Sequence, residues 1–466
     1  MHTNNRTTRQ LNFLRAFIGT VLLTLCSCEQ YLEVDPPKNQ LTGEVVFEDA
    51  ATVDAAFAYI YAELRENGFT TGGTQGLSYL MGHYSDEFDL YSSTLPGVLN
   101  YTNNTVLPSD NSVKNLWDTG YGLIYAANAL LEGVSSSGSL SDVEKERFLG
   151  EAYFIRAFLH FYLVNIFGEV PYIMTTEYDE NKDIDKLKIA EVYRHIEDDL
   201  LMAKGMLASS PTDLERFRPN HWTASAMLAR VYLYLEEWQM AIDEASNILS
   251  DSEYSLNLDV DKVFLKESPE TLWQLGPGLP GNNTKEAFTF VIVNGPPPNS
   301  ALTPTLIGSF EEGDARFDHW IGSATDGLET WYFPFKYRQF VPTASTQECS
   351  IIFRLAEQYL ILAEANAQLG NLGPALVFLN TVRSRASLPL LGNLDKTSLL
   401  EAVQAERRVE FFSEQGHRFF DLKRTGRADA VLAHLKSGWE SSDQLLPIPE
   451  SELLLNPNLL PQNEGY

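Results

Sequence analysis

Two segments far apart in the chain repeat one another, and this repeat restricts the fold more than any other feature. In "MLARVYLYLEEWQMAIDEASNIL" (Met227–Leu249), Ala229, Leu235 and Ala241 stand at offsets of 0, 6 and 12. In "ILAEANAQLGNLGPALVFLNTVRSRA" (Ile361–Ala386), Ala363, Leu369 and Ala375 stand at the same offsets. A turn signal follows each leucine, Glu236-Glu237 in one copy and Gly370-Asn371 in the other. Small residues at matched points let two antiparallel helices approach closely, which is the packing logic of a tetratricopeptide-type hairpin. The spacing predicts hairpins over 221–249 and 352–386, and their separation predicts a helical scaffold interrupted by a long insertion.

Other stretches carry the same helical period. They are Val53–Asn67, Leu116–Val134 and the aromatic-rich Glu144–Ile173, the last halted by Gly168 and Pro171. From about 262 to 347 the period gives way to proline, glycine, asparagine and aromatics, as in "NGPPPNSALTPT" and "WYFPFKYRQF". A shorter irregular stretch spans 88–112. Loops this long inside a compact chain usually carry function. The expected fold class is mostly α, a helical-hairpin scaffold with a large loop-rich, ligand-facing insertion.

Charge narrows the partners. The 466 residues hold 34 Lys and Arg against 63 Asp and Glu, a net charge of −29. Such a surface repels nucleic acid, and any strongly anionic ligand as well unless a local basic pocket receives it. There is no His-Glu-x-x-His, nucleophile elbow or phosphate loop. "DVD" (Asp259–Asp261) lacks the glycine and distal glutamate of a calcium loop and reads as a solvated turn. These readings predict no catalytic residue, no cofactor and no metal.

The N-terminus is an export signal. Arg6, Arg9 and Arg15 precede a short apolar run from Phe17 to Leu25, too short to span a bilayer as a helix. It ends in "LCSC" (Leu25–Cys28), a lipobox-like sequence that predicts cleavage after Ser27 and lipidation of Cys28. Residues 1–27 are then the signal peptide and 28–466 one mature domain. Acyl chains contribute about 0.8 kcal/mol per buried methylene, enough for two or more to hold a protein durably on a membrane. In the lipidated product Cys349 is the lone free thiol, so no internal disulfide can form.

Several motifs together resemble the SusD/RagB family of outer-membrane nutrient-binding lipoproteins. They are the lipobox followed by "YLEVDPP", "SDE" (Ser85–Glu87), "RAFLHFYLVNIFGEVPYI" (Arg156–Ile173), "LAEQYLILAEANAQLG" (Leu355–Gly370) and "LNTVRSRA" (Leu379–Ala386). "ERRVEFFSEQGHRFFDLKRTGR" (Glu406–Arg427) and the tail Leu445–Tyr466 complete the series, in the family's order. The resemblance implies four tetratricopeptide-like units and a surface lid without catalytic residues. Such a lid binds oligosaccharide or polysaccharide, or in the RagB branch peptide, and passes it to a SusC-type TonB-dependent transporter. It also implies an outer-membrane location, lipid-anchored and facing outward, with Glu29, Glu33 and Asp35 as the sorting signal.

Two sets of residues compete for the functional role. The charged block Glu406–Arg427 invites an active-site reading, but opposite charges at helical spacing cancel, and it reads as a structural helix with Gly416 as its stop. The better candidates are aromatics in the irregular stretches, because a neutral sugar offers an apolar C–H face to a flat ring and hydroxyls to nearby amides. Trp320, Trp331, Tyr91 and Tyr101 are the expected ligand rings, with Asn103 and also Asn104, Asn282 and Asn283 as hydroxyl partners. Trp331, Phe333, Phe335 and Tyr337 alternate, as on one buried face of a strand, and Phe333, Phe335 and Tyr337 are expected in the core. A peptide carrier, a glycoside hydrolase and a pure assembly scaffold are the competing functions.

Overall fold

The computed structural model of the protein describes residues 46–92, 94–210 and 215–466. The expected signal peptide, Cys28 and the acids behind it lie outside the described residues. The described part begins with α1 (Ala50–Glu66), α2 (Leu77–Tyr84), the short strand β1 (Phe88–Leu90) and α3 (Pro96–Asn103). The long helices α4 (Asn111–Ser136) and α5 (Asp142–Phe167) follow. A reciprocal cap starts α5: Glu144 N donates to Ser141 Oγ at 3.4 Å and Ser141 N to the Glu144 carboxylate at 2.8 Å. Every residue from Phe154 to Phe167 is buried, so this helix is enclosed on all sides rather than amphipathic. It stops at Gly168, whose φ of +78° is a conformation that favours glycine.

Next come α6 (Tyr178–Asn181), α7 (Ile189–Met206), α8 (His221–Tyr234) and α9 (Trp238–Leu249). The insertion then carries β2 (Thr271–Leu275), α10 (Lys285–Phe290), β3 (Ser300–Leu302), α11 (Pro304–Ile307), α12 (Ala315–Trp320), β4 (Ile321–Thr325), β5 (Thr330–Pro334) and β6 (Ser350–Arg354). The scaffold resumes with α13 (Leu355–Gln368), α14 (Leu372–Arg385), α15 (Lys396–Glu410), α16 (His417–Arg424), α17 (Ala428–Leu435) and α18 (Glu450–Leu455). The helices stack serially: α4 on α5, α5 on α7, α7 on α8, α8 on α9, and α13 on α14 and α15. Because α9 also packs on α13, the insertion leaves and re-enters the array at neighbouring positions.

The sequence repeat is a conformational repeat. Glu236 and Gly370, just beyond the matched leucines, both take positive φ, +60° and +82°. At equivalent positions Glu237 N donates to Tyr232 O at 2.9 Å and Asn371 N to Asn366 O at 2.8 Å. This is the 6→1 bond that closes a helix when one residue turns left-handed. All four matched alanines are fully buried. The second hairpin begins at Leu355 rather than 352, since Ser350–Arg354 is a strand. The two irregular stretches hold more order than expected: 88–112 contains α3, and 262–347 contains three short antiparallel strand pairings or their members and three short helices.

Charged residues fill the junction between insertion and scaffold. Arg230 Nε and Nη2 donate to the two oxygens of Glu357 at 2.7 Å each, joining α8 to α13. Arg316 from the insertion donates to Asp314 and to Glu410 at 2.8 Å, and Glu410 also pairs with Arg354 and Arg385. Burial pushes the Glu410 carboxyl up, but the three guanidinium groups outweigh it and hold the group well below the usual range. Arg407 and Arg424 share Asp421, each at 2.8 Å. Within the Glu406–Arg427 block, Glu406, Arg407, Glu410, Asp421 and Arg424 are therefore structural, as the charge pattern predicts. The block's geometry differs from the expected single helix: α15 ends at Glu410, and Gly416, with φ of +76°, starts α16. Removing one partner of such a buried pair costs about 3–5 kcal/mol, because the other charge stays buried.

Candidate functional site

Strand β1 from the first irregular stretch pairs antiparallel with β3 from the second, Phe88 opposite Leu302 and Leu90 opposite Ser300. The ribbon is fastened from below. Ser300 Oγ lies 2.6 Å from Tyr79 Oη and 2.7 Å from His83 Nε2, while Thr102 Oγ1 lies 3.0 Å from His83 Nδ1. Burial lowers the His83 pKa to about 3, with Lys436 adding to the effect, so the ring is a neutral structural link between α2, α3 and β3. Beyond β1 the backbone continues beside β3: Tyr91 N and Ser92 N donate to Asn299 O at 2.7 and 3.1 Å.

The β4–β5 hairpin brings up the second ring. Its turn is set by Asp326, whose carboxylate accepts from Leu328 N and Glu329 N at 2.9 Å each, with Gly327 at φ +91°. Alternation along β5 sends Trp331 and Phe333 to one face, onto Ile292 and Ala301, and Tyr332 to the other, against Phe317. Trp331 thereby meets Tyr91 edge to face, with ring centroids 6.4 Å apart and planes at 85°. A Cβ on Gly295 would lie 2.3 Å from the Trp331 ring, so that loop packs against the indole closely enough to need glycine. The two rings consequently divide the work. Trp331 is only 7% exposed and serves as a buttress, while Tyr91, 47% exposed, presents a ring to solvent. Partial burial raises the Tyr91 phenol pKa, with the Asp89 carboxylate adding to it, so the hydroxyl stays a neutral donor. An exposed ring braced by a perpendicular indole can stack a sugar face and offer the phenol to its hydroxyls.

Two other predicted rings lie in the interior. Trp320 is 1% exposed; its indole N–H donates to Val260 O at 2.8 Å. Its ring is surrounded by structural cations, with Lys336 Nζ at 5.2 Å and Arg385 at 5.4 Å from the centroid. Tyr101 is fully buried on the inner face of α3 and packs edge-on against Tyr84 at 5.7 Å. Neither can stack a ligand. Asn103, one turn-end away, is exposed at the end of α3 and makes no side-chain hydrogen bond among the described residues.

The remaining amides separate too. Asn104 takes φ +52° as a helix cap and donates to Tyr84 O at 3.0 Å. Asn283 staples the insertion, accepting from Gln347 N at 2.9 Å and Glu348 N at 3.1 Å. Asn282 lines a separate cleft of about 280 Å³ with Arg65, Gln339 and the half-exposed Phe340. Phe333 and Tyr337 are in the core as expected, whereas Phe335 is only half-buried. Asp261 is engaged by Arg338 and by His319 at 2.9 Å, so "DVD" is a paired turn rather than a free one. Among the described residues no group of three or more His, Cys, Asp or Glu is placed to hold a metal, and no helix is long and apolar enough to cross a membrane.

Sequence reasoning missed Lys336. It is buried beside Glu414 and donates to Glu410 O and Phe412 O at 2.8 Å each. Burial brings its pKa down to about 8 against the pull of Glu414. Its place within "WYFPFKYRQF" carried no signal, since its partners lie more than seventy residues on.

Comparison with known proteins agrees with this architecture. Residues 30–233 match a SusD-like family model described as starch-binding and associating with the outer membrane, and residues 319–466 match the SusD family model. Two SusD-like proteins of Formosa agariphila are 29% and 25% identical, each alignment covering 96% of this chain and 98% of the relative. A solved laminarin-binding SusD-like protein is 26% identical with a TM-score of 0.75, over 89% of this chain and 99% of its own.

Proposed function

Given that the chain belongs to the SusD/RagB family, we propose that it captures a neutral glycan, laminarin-like glucan first among them, at the Tyr91 ring. The observation that carries this reading is the Tyr91–Trp331 pair: two rings from the two irregular stretches meet at the surface, one braced and one open. Glucose units present flat C–H faces that suit an aromatic platform, and the −29 net charge does not oppose a neutral chain. Asn103, exposed at the end of α3, keeps its amide free for a hydroxyl partner. Likeness to a laminarin-binding protein supports the choice of glucan.

Cys28, once lipidated, tethers the mature chain to the outer membrane, where family members reside, with the insertion directed outward. From there the protein acts as a non-catalytic lid that passes glycan to a SusC-type TonB-dependent transporter. Calorimetric titration with laminari-, malto- and cello-oligosaccharides tests the binding. Saturable heat with one series supports the reading; no heat with any of them, together with a peptide co-purifying from cells, would replace it by peptide capture.

A further inference from the structure

At the opposite end of the β1–β3 ribbon, roughly 15 Å from Tyr91 at ~3.3 Å per extended residue, lies a cleft of about 410 Å³. It is lined by Arg408, Arg418, Arg427 and His434 with two acids, Asp86 and Glu401. Arg418 grips Asp86 with Nε and Nη2 at 2.7 and 3.0 Å, and Arg408 reaches the same carboxylate with Nη2 at 2.7 Å. Arg427 Nη2 donates to Glu401 at 2.7 Å at the rim.

Three guanidinium groups thus face two carboxylates, leaving one positive charge in excess in a chain of net charge −29. Among the described residues the Nη1 group of each of these arginines meets no protein acceptor: Asp86 and Glu401 are held through Nη2, and in Arg418 through Nε as well. Glu87, the next acid along, does not cancel the excess: burial and the Asp86 charge raise its pKa to about 8, so it is largely neutral at pH 7. Leu422, Val431 and Leu435 form an apolar side to the same cleft. Free planar donors beside an apolar wall suit a carboxylate or sulfate carried on a carbon skeleton.

We propose that this cleft is a binding site for a small organic oxyanion, a sugar acid or sugar sulfate, distinct from the Tyr91 platform. It is the local basic pocket without which so acidic a surface excludes anionic ligands. The site does not depend on the glucan reading, since no residue is shared.

The test is calorimetry of the purified protein with glucuronate, glucose 6-sulfate, inorganic sulfate and glucose, at rising sodium chloride. Glucuronate or glucose 6-sulfate binds, whichever does so naming the anion, with affinity falling as salt rises. Glucose does not compete for the site. Arg427→Ala, at a half-buried rim position, weakens binding about threefold to tenfold, Arg427→Glu abolishes it, and Tyr91→Ala leaves it unchanged. Absence of binding by either sugar anion, binding by inorganic sulfate alone, or equal binding by the Arg427 variants would overturn the proposal. Failure of neutral oligosaccharides to bind would leave it standing.

Discussion

Replacing Tyr91 by alanine separates binding from folding. An aromatic side chain offers ~150–250 Å² of surface, and Tyr91 keeps 47% of its own exposed, which leaves about 100 Å² for a sugar to cover. At ~25 cal/mol per Å² that cover contributes about 2.5 kcal/mol, a loss of about seventyfold in Kd when the ring is removed. Because half the ring is already in water and its backbone bond to Asn299 is retained, thermal stability should hardly change. Tyr91→Phe keeps the stacking face and loses at most one hydrogen bond, so its affinity should stay within about tenfold. The assay is calorimetric titration of wild type and both variants with the oligosaccharide that binds wild type, beside a thermal melt. A change under about twofold for Tyr91→Ala would refute the platform. So would a melt that falls as steeply as the affinity, because the loss would then be structural.

Two further outcomes follow from the structure and a third from the lipobox-like sequence. Trp320→Ala should cost about 3–5 kcal/mol in denaturant unfolding and leave the Kd of the folded fraction intact, since the ring packs among cations and caps Val260 O; an unaltered midpoint would contradict its burial. Glu87→Gln should flatten a pH dependence: the Glu87 pKa is raised from 4.5 to about 8, so its stabilising effect is complete below 4.5 and is lost as pH climbs through about 8. The variant should therefore gain on wild type by up to ~1.4 kcal/mol per pH unit across that window in urea melts, and parallel curves would exclude a buried neutral carboxyl. Cys28→Ser should release the exported protein from the membrane fraction, read by fractionation and fatty-acid probe labelling; retention on the membrane would refute the anchor.

Local periodicity carried the scaffold. The matched alanines and the turn after each leucine specify two hairpins, and the left-handed residues at Glu236 and Gly370 show why the turn falls there. The buried pairs of the charged block were legible because acids and arginines fall at helical spacing within it, yet its break at Glu410–Gly416 depends on Gly416 lying against Met81, a contact no local pattern encodes. Tyr101 was legible in principle: Val98 and Tyr101 stand three apart on one buried face of α3, but the surrounding Asn, Thr and Pro residues masked the helix. Trp320 was not, since Lys336 from the segment after β5, Arg354 of β6 and Arg385 of α14 converge on it. The meeting of Tyr91 with Trp331 likewise depends on β1 pairing with β3 and β3 lying beside β5, a tertiary event between stretches more than two hundred residues apart.

A crystal structure of the protein soaked with a laminari-oligosaccharide tests the central claim most directly. A glucose ring should lie on the exposed ring of Tyr91, with Trp331 beside it. Sugar seated instead in the cleft of Asn282 and Phe340, with the Tyr91 ring bare, would contradict it.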